Sequence, residues 1–406
     1  MRSPTDADIR AARPAVGEIA RRTPVLSSRT FSEVAGGEVV LKAENLQRTG
    51  SFKVRGVAAK LAALGEQGCA NGVVTASAGN HAQALAAAAR MRGAACEVFV
   101  PTDAPIAKVE AARGQGATIH VGGGSVDDCL HAAMERADEG GLAFVHPFDD
   151  PDVVAGQGSL GLELLEDVPD LARVVIPVGG GGLCAGVAIA VKSARPDVEI
   201  VGVQVEACAP YPESLRRGEP VPASSALTIA DGIAVKRPGK LTLELLREWT
   251  DGIVVVGEDE TAEAMVMLME RCKLVVEGAG AVGVAALLGG QVRAPARGKT
   301  VAVLSGGNVD PGLLAAVARR HETEAGRRAV LLTRLPDRPG NLAQLLECVA
   351  AQGANIVDVS HVREGFDLHV RETAVELVIE TRGHDHAEAV VAALGDAGYE
   401  ARVLKT

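Results

Sequence analysis

The sequence predicts an α/β protein: a large body of parallel sheets covered by helices on both faces, followed by a small β-α-β-β-α-β module. Short β-branched segments alternate with alanine-rich segments over residues 38–304, which is the order of buried parallel strands and crossover helices. The 47 glycines of the 406-residue chain suit many tight strand-to-helix turns. After a charged segment, the alternation restarts on a smaller scale.

The strands predicted for the body are short and rich in β-branched residues, as strands buried on both faces are. They span residues 72–75, 96–100, 118–121, 144–145, 173–178, 200–205 and 300–304. Alanine-rich helices are predicted between them at residues 81–92, 126–139 and 185–193. Because ligands of such folds bind beyond the carboxyl ends of the strands, the segments that directly follow strands are the candidate functional segments.

The module follows a charged segment at residues 321–328, which we interpret as a linker between a body of residues 1–320 and a module of residues 329–406. Its strands are predicted at residues 329–335, 356–363, 374–380 and 401–404, and its helices at residues 341–352 and 387–397. This order is that of a ferredoxin-like unit.

Charge and composition exclude several classes of function. The net charge of −11 and the isoelectric point near 5.4, with scattered lysines and arginines, argue against a nucleic-acid-binding surface. Asp6, Asp8 and Glu18 interrupt the N-terminal segment, which argues against a targeting signal. No apolar run approaches the roughly 20 residues that span a bilayer.

Cysteines and histidines do not indicate a metal or disulfide protein. The seven cysteines are dispersed and form no CxxC pair, which is typical of reduced thiols in the cytoplasm. His384 and His386 lie at a predicted helix start in the module, where exposed side chains are expected, so no metal site is predicted there. We therefore expect a cytoplasmic enzyme that binds neither nucleic acid nor a membrane.

The segment at residues 50–56 places one lysine at the start of an alanine-rich helical run. Lys53 lies between Phe52 and Val54, and partial desolvation by such neighbours lowers the pKa of an amine. A neutral amine can form a Schiff base with an aldehyde. Because a lysine near a helix start is more often simply solvated, other segments have to supply the partners of an aldehyde cofactor.

Four consecutive glycines follow a predicted strand and open a predicted helix, and they permit two interpretations. Their backbone N–H groups, at the positive end of a helix, form a cradle for a phosphate. Alternatively, Gly180-x-Gly182-x-x-Ala185, with Glu206 beyond the next strand, matches a loosened dinucleotide-binding fingerprint. The motif alone does not separate the two. The residues of this phosphate loop are Gly179, Gly180, Gly181, Gly182 and Leu183.

A second strand-to-helix junction is a candidate carboxylate site, because small residues let backbone N–H groups at a helix start approach an anion. Asn80 offers a hydrogen bond to a ring oxygen of a cofactor. N-capping by Ser77 or Asn80 is the structural alternative, and a buried structural role is the alternative for His81. The residues of this carboxylate loop are Ser77, Ala78, Gly79, Asn80 and His81.

The last strand of the body ends in a serine followed by two glycines and an asparagine, at residues 305–308. The Ser305 hydroxyl, at the carboxyl end of a strand, either faces a pyridine nitrogen or caps the following turn. The sequence does not separate these two roles.

Four segments together resemble the motifs of the threonine/serine dehydratases, which are pyridoxal-phosphate enzymes of the tryptophan-synthase-β fold type. They are residues 51–53, 77–81, 179–183 and 305–308. The resemblance extends over about residues 9–319. It implies a two-lobed catalytic domain of fold type II at residues 1–320, with a smaller lobe at about residues 48–150 inserted in the larger.

The resemblance also implies a role for each candidate residue. Lys53 would hold pyridoxal 5'-phosphate covalently, Phe52 would pack near its ring, and Asn80 would bond its phenolic oxygen. Ser305 would meet the ring nitrogen. The phosphate loop would hold the phosphate, and the carboxylate loop would bind the carboxylate of a small amino-acid substrate.

The implied activity is elimination of water from L-threonine to give 2-oxobutanoate and ammonia, with Lys53 as general base. An L-serine dehydratase is the alternative within this chemistry, because one methyl group changes binding by only about 1–3 kcal/mol. Related serine racemases carry a second serine where this chain has Ala78, which cannot transfer a proton, so dehydration is favoured. An NAD-dependent oxidoreductase rests on the glycine run and leaves Lys53 and Ser305 unexplained.

Residues 337–342, after the first strand of the module, resemble an ACT regulatory domain. Such domains bind small amino acids between copies, so the resemblance implies a homo-oligomer, a dimer or tetramer, and an effector such as isoleucine or valine near residues 339–342. A catalytically silent amino-acid sensor is a further alternative, although every expected catalytic position is filled. The residues after Glu206, where some relatives bind a divalent cation, supply no further carboxylate, so no metal is predicted.

Overall fold

The computed structural model describes residues 2–225, 227–362 and 368–404. These residues form two compact units, which divide in the chain between Asp310 and Pro311. Within the described ranges, the first unit contains two sheets and the second contains one.

The first unit alternates strands and helices along the described chain. Its strands are β1 (Val25–Ser27), β2 (Val39–Lys42), β3 (Val73–Ala76), β4 (Cys96–Val100), β5 (Thr118–Val121), β6 (Ala143–Phe144), β7 (Leu171–Pro177), β8 (Glu199–Val205), β9 (Gly252–Val256) and β10 (Lys299–Val303). Its helices are α1 (Asp6–Ile19), α2 (Arg29–Ala35), α3 (Lys53–Gly68), α4 (Asn80–Met91), α5 (Ile106–Gly114), α6 (Val126–Gly140), α7 (Pro151–Asp167), α8 (Gly182–Ala194), α9 (Pro210–Arg217), α10 (Lys240–Trp249), α11 (Glu258–Met267) and α12 (Gly278–Leu288). Short 3-10 turns lie at Glu44–Leu46 and Asp231–Ile233, and a π-helical turn at Leu268–Cys272.

The larger sheet of this unit has the strand order β1-β2-β10-β7-β8-β9, and β1 runs antiparallel to β2 while the other neighbours are parallel. The smaller sheet, in the order β5-β4-β3-β6, is parallel throughout. The chain leaves the larger sheet after β2, builds the smaller sheet and returns at β7. We call residues 48–150, which carry the smaller sheet, the small lobe.

The seven strands predicted for the body are present, with ends within two residues of the prediction. The strands β1, β2 and β9 are absent from the prediction. They are three to five residues long, and β2 pairs with a strand far along the chain, through contacts such as Val40 with Val301. Pairing with a distant partner is not visible in the local sequence, so the prediction lacks this strand.

Small residues allow the helices over the larger sheet to pack at close range. Gly186 on α8 faces α7, and a Cβ there would lie 2.6 Å from the backbone nitrogen of Gly158. This distance is too short for a Cβ atom and a non-bonded nitrogen, so the two helices are in backbone contact at this point. Since α8 begins in the phosphate loop, its packing on α7 sets the position of that loop.

Four buried charges tie the start of α3 to β2, to a 3-10 turn and to α7. Arg55 donates to both carboxylate oxygens of Glu44 at 2.8 Å and to Glu163 Oε1 at 2.7 Å. Lys42 Nζ donates to Glu163 Oε2 at 2.7 Å. No side chain of the four is more than 10% exposed. Two cations and two carboxylates balance, and the hydrogen bonds compensate the desolvation of each charge.

Replacing Glu44 with alanine is expected to lower the free energy of unfolding of the first unit by about 3–5 kcal/mol, because Arg55 would remain buried without its bidentate partner. Urea unfolding followed by circular dichroism measures this change. Glu33→Ala, which breaks an exposed pair with Arg29, is the control and should cost less than about 1 kcal/mol. Equal effects of the two substitutions would contradict a dry, mutually dependent cluster.

The second unit is a four-stranded antiparallel sheet with helices. It consists of α13 (Pro311–Glu324), β11 (Arg328–Pro336), α14 (Asn341–Ala351), β12 (Asn355–Val362), β13 (Glu372–Glu380), α15 (His384–Asp396) and β14 (Arg402–Val403). The strand order is β12-β13-β11-β14. From β11 onward the element order is the predicted β-α-β-β-α-β. Arg363, the last residue of one predicted strand, lies outside the described residues.

The structure differs from the prediction in the charged segment before this sheet. Residues 321–324, predicted as part of a linker, are the last turn of α13, and the unit boundary precedes that helix. Arg320 Nε donates to Glu324 Oε1 at 2.8 Å, an exposed pair four residues apart. Such pairs support a helix, so the charge run is a solvated helix face. The chain then turns at Gly326, whose φ is +65°.

The described residues contain no helix that is both long and apolar enough to cross a bilayer. They also contain no group of three or more His, Cys, Asp or Glu side chains arranged to hold a metal. The seven cysteines are free, and burial raises the pKa of Cys96 and Cys184 to about 12. These two thiols therefore stay protonated and act as small apolar side chains.

Candidate active site

A cavity lies where α3, α4 and α8 begin, beyond the carboxyl ends of strands from both sheets of the first unit. The residues predicted to contact a cofactor all line it. They are Phe52, Lys53, Asn80, Gly179, Gly180, Gly181, Gly182, Leu183 and Ser305.

Lys53, the first residue of α3, reaches into this cavity. Its Nζ donates a hydrogen bond to Pro147 O at 2.8 Å and lies 5.3 Å from the ring centroid of Phe52. Burial lowers the pKa of Lys53 to about 8, and the Glu277 carboxylate opposes this shift. A substantial fraction of the amine is therefore neutral between pH 7 and 8, as a Schiff-base nucleophile requires.

The segment that carries Lys53 is joined by its backbone to the end of β10. The N–H of Phe52 donates to Ser305 O at 3.1 Å, and Ser51 forms an antiparallel bridge with Gly306. Two motifs that are about 250 residues apart in the chain thus form one rigid wall of the cavity. Lys53 and Ser305 keep their relative positions because these backbone bonds connect them directly.

The phosphate loop lies between β7 and α8, and no described side chain caps the N-terminus of α8. Tyr211 Oη donates to Gly180 O at 2.9 Å, which turns this carbonyl away from the cavity. A Cβ at Gly180 would collide with the ring of Phe148, and Gly181 has a φ of +89°. Because side chains are excluded, backbone N–H groups at the positive end of a helix remain exposed, and they suit a phosphate.

The carboxylate loop joins β3 to α4. The N-terminal cap position of α4 is Gly79, and no described side chain caps the helix, although the N–H of Gly79 donates to Ser77 Oγ at 3.2 Å. The predicted alternative of N-capping is therefore absent. Asn80 lines the cavity, whereas Ser77, Ala78 and Gly79 are half-buried and are not among its lining residues. The open helix start still suits a carboxylate.

His81 takes the structural role rather than the substrate-binding one. It is 2% exposed, and its Nε2 lies 3.1 Å from Val145 O. Burial, assisted by the charge of Lys53, lowers the pKa of His81 to about 3. The neutral, buried ring offers no positive charge to a carboxylate, so the structural alternative describes this side chain, and substrate binding at His81 stays a prediction for its backbone N–H.

Ser305 follows β10 and is 3% exposed at the cavity wall. Its Oγ lies 3.4 Å from Ala279 O, a long contact that leaves the hydroxyl hydrogen free to rotate toward the cavity. The hydroxyl is neutral, so it can bond a ring nitrogen without enforcing its protonation, unlike a carboxylate at the same place.

Glu277 is a cavity residue that the sequence analysis does not select. It is 4% exposed, and its Oε1 accepts a hydrogen bond from Asn80 Nδ2 at 2.6 Å. Burial raises the pKa of Glu277 to about 7, Asp231 adds to the rise, and the bond from Asn80 opposes it. A glutamate between a valine and a glycine carries no signal in the sequence, because its partner Asn80 is 197 residues away.

Comparison with known proteins supplies the family. The model of the family described as "Pyridoxal-phosphate dependent enzyme" matches residues 16–306. The chain belongs to the pyridoxal-phosphate dependent enzymes. It is also 44% identical over 398 residues to a protein from Thermotoga maritima named L-threonine ammonia-lyase, and the match covers 98% of each chain.

Solved structures of this enzyme family are similar to the chain. A maize serine racemase superposes with a TM-score of 0.75 at 33% identity and covers 80% of this chain and 99% of its own. The processed form of threonine deaminase isoform 2 from Solanum lycopersicum has a TM-score of 0.72 at 33% identity, and the match covers 78% of this chain and 94% of that one.

The residues of the cavity fit pyridoxal phosphate, and the predicted cofactor is confirmed. The phosphate loop has an uncapped helix start that would suit the phosphate, and Lys53 has an amine of lowered pKa that would suit the aldehyde. Family membership therefore favours the phosphate-cradle interpretation of the four glycines over the dinucleotide one.

Covalent uptake of pyridoxal phosphate by the apoenzyme is expected to accelerate as the pH rises through about 8, because the neutral Lys53 amine is the attacking form. Since the pKa is lowered from its ordinary value of 10.5, most of this increase should be complete by about pH 9.5. Stopped-flow absorbance between about pH 6.5 and 10 measures the rate, with Lys53→Ala as the blank. A midpoint above about pH 10 would contradict a desolvated amine.

Proposed function

We propose that this protein is an L-threonine ammonia-lyase, which eliminates water from L-threonine and yields 2-oxobutanoate and ammonia. The observation that carries the proposal is the buried amine of Lys53 in one cavity with the phosphate loop. The proposal is supported by the relative of that name, which matches 98% of the chain at 44% identity.

Lys53 performs the proton chemistry in this proposal. Bound pyridoxal phosphate supplies an aldehyde for the substrate amine and an electron sink for the Cα–H bond. The neutral Nζ of Lys53 then removes the Cα proton as general base, and the hydroxyl leaves Cβ as water with a proton that the phosphate group of the bound cofactor would supply. Hydrolysis of the released enamine gives the 2-oxo acid and ammonia. The hydrogen bond to Pro147 O holds Nζ within the cavity while the amine is free.

Other cavity residues orient the reactants. We assign the substrate carboxylate to the open start of α4, in the turn that contains Ser77 and Gly79, and the ring oxygen of the cofactor to Asn80. Ser305 meets the ring nitrogen as a neutral partner, so charge is not stored in the ring, which favours prompt loss of the β-leaving group. Phe52 and Phe148 line the cavity and exclude water from it.

Two other activities of the same chemistry have support. L-Serine lacks only one methyl group of threonine, so its dehydration is expected at a lower or similar rate. Racemisation of serine is supported by the likeness to the maize serine racemase. It is opposed by Ala78, whose methyl group cannot return a proton to the second face of Cα.

Formation of 2-oxobutanoate from L-threonine is the first measurement. Lys53→Ala should remove the visible absorbance of the holoenzyme and lower turnover by at least about 10³-fold. Lys192→Ala, on α8 and paired with Asp251, is the matched control and should retain activity. Chiral analysis with L-serine separates the alternatives, since D-serine as the main product would indicate a racemase. A coloured enzyme that leaves both amino acids unchanged would overturn the proposal.

We infer that the second unit is an ACT regulatory domain that binds a small amino acid. Its β-α-β-β-α-β order supports this, as does the turn before α14. Gly340 has a φ of +93° at the start of α14, no described side chain caps this helix, and Asn341 Nδ2 donates to Pro336 O at 2.9 Å. An uncapped helix start after a tight turn suits the carboxylate of an effector.

The edges of this sheet support assembly of the chain into a homodimer or homotetramer. The edge strands β12 and β14 leave backbone N–H and C=O groups without a neighbouring strand in the sheet of the described residues, and such edges pair readily with another copy. We also propose a cytoplasmic location, because free and largely buried cysteines suit a reducing compartment.

Isoleucine or valine is expected to change the KM for threonine at least about fivefold, the lower end of usual coupling between sites. Steady-state rates with and without each amino acid measure the effect. Asn341→Ala should abolish it and leave the basal rate unchanged, while Asn355→Ala, an exposed asparagine paired with Glu380, should leave it intact. Rates that respond to neither amino acid would contradict regulation by a branched-chain effector.

A further inference from the structure

Asn80 lies in the middle of a chain of hydrogen bonds that joins four separate segments. Its Oδ1 accepts from Asn308 Nδ2 at 2.7 Å, and its Nδ2 donates to Glu277 Oε1 at 2.6 Å. Asn308 Nδ2 also donates to Thr49 O at 2.8 Å. The segments are the approach to α3, the start of α4, the start of α12 and the residues after β10.

The two ends of this chain determine the direction of every bond in it. The carbonyl of Thr49 only accepts, so the Asn308 atom beside it has to be the amide nitrogen. That nitrogen then requires an acceptor on Asn80, which is Oδ1. The other end of the Asn80 amide is therefore Nδ2, and it donates to Glu277 Oε1. If the Asn80 amide were flipped, its Nδ2 would face Asn308 Nδ2, which is also a donor. Its Oδ1 would then face the carboxylate oxygen of Glu277, which is also an acceptor.

Glycine backbone lies directly against both partners of Asn80. Gly50, with a φ of +73°, lies against the Asn308 amide, and a Cβ there would collide with Asn308 Oδ1. A Cβ at Gly306 would collide in the same way with Glu277 Oε1. The two glycines therefore make the space in which Asn308 and Glu277 reach Asn80.

Several charged groups act on the Glu277 carboxylate from a longer range than Asn80, which contacts it directly. Lys53 of α3 and Asp231 of a 3-10 turn both act on its carboxylate, and Lys108 of α5 forms an ion pair with Asp231. The direct hydrogen bonds to the carboxylate come from Asn80 Nδ2 and from the backbone N–H of Asn308. Asn80 is therefore the cavity side chain that forms a direct hydrogen bond with Glu277.

We propose that Asn308 and Glu277 are positioning residues that fix the Asn80 amide so that it presents an N–H donor to the ring oxygen of the cofactor. Nδ2 carries two hydrogens. Glu277 takes one, and the second is left for the cavity that Asn80 lines. An amide donor favours the anionic form of the ring oxygen. The inference rests on the contact between Asn80 and the cofactor assigned above, and it is independent of which amino acid is the substrate.

The affinity of the apoenzyme for pyridoxal phosphate tests this inference without any turnover. Equilibrium dialysis gives the Kd for the wild type, Glu277→Gln, Asn308→Ala and Asn80→Ala, and for the double variants on the Asn80→Ala background. Glu277→Gln replaces a charged acceptor by a neutral amide and puts an NH2 group in place of one oxygen, so the hydrogen bond that orients Asn80 Nδ2 is weakened. We expect Glu277→Gln and Asn308→Ala each to raise the Kd roughly tenfold.

The effects should disappear when Asn80 is absent. On the Asn80→Ala background, Glu277→Gln and Asn308→Ala should each change the Kd by less than about twofold, because they act through the missing amide. Equal effects on both backgrounds, or no effect of Glu277→Gln in the wild type, would overturn the proposal. If Asn308→Ala does not fold, the nearly isosteric Glu277→Gln still decides the question by itself.

A spectroscopic reading separates positioning from a general loss of structure. The visible absorption band of the bound cofactor reports the protonation of its ring oxygen, so Glu277→Gln, Asn308→Ala and Asn80→Ala should shift it in the same direction. Glu199→Gln makes the same chemical change in an ion pair with Arg173 and should alter neither band nor Kd. Variants that weaken binding but keep the wild-type band would refute a role in presenting the donor.

Discussion

The position of Lys53 depends on Arg55, two residues further along α3. Arg55 holds the start of the helix by hydrogen bonds to Glu44 and Glu163, which belong to two other elements. The interaction is all-or-none, because each charge is tolerable in the interior only while its partners are present. The reactive amine and the buried guanidinium thus share one helical turn, and the first is placed by the second.

The cavity is assembled from strand ends and helix starts that are distant in the chain. Parallel strands bring their carboxyl ends to the same edge, and each following helix directs its positive end there. The residues after β10 act as a junction, since Ser305 and Gly306 bond the backbone before Lys53 while Asn308 bonds Asn80. One short segment therefore fixes the relative positions of the Lys53 amine, the Asn80 amide and the Ser305 hydroxyl.

Local patterns predict much of this fold and site, and they fail where distant partners decide. Most strands of the first unit and the phosphate loop carry their own signals, namely β-branched runs and four glycines. Lys53 is identified by its apolar neighbours and its place at a helix start. The strand β2 and the carboxylate of Glu277 carry no such local signal. The strand is stabilised by pairing with β10, and the carboxylate is placed by its hydrogen bond with Asn80, so both depend on partners that are distant in the chain. The charged segment near Arg320 is predicted to be a linker but contains the last turn of α13. Solvated helices and linkers are both rich in charged residues, so composition alone does not distinguish them.

The backbone contact between α7 and α8 restricts how this protein can evolve. A side chain at Gly186 would have to move α8 away from Gly158, and the amino end of α8 is the loop that we propose holds the phosphate. A substitution at this contact is therefore expected to affect both the folding of the first unit and its retention of the cofactor. Gly186 does not line the cavity, yet it is constrained by the same requirement as the residues that do.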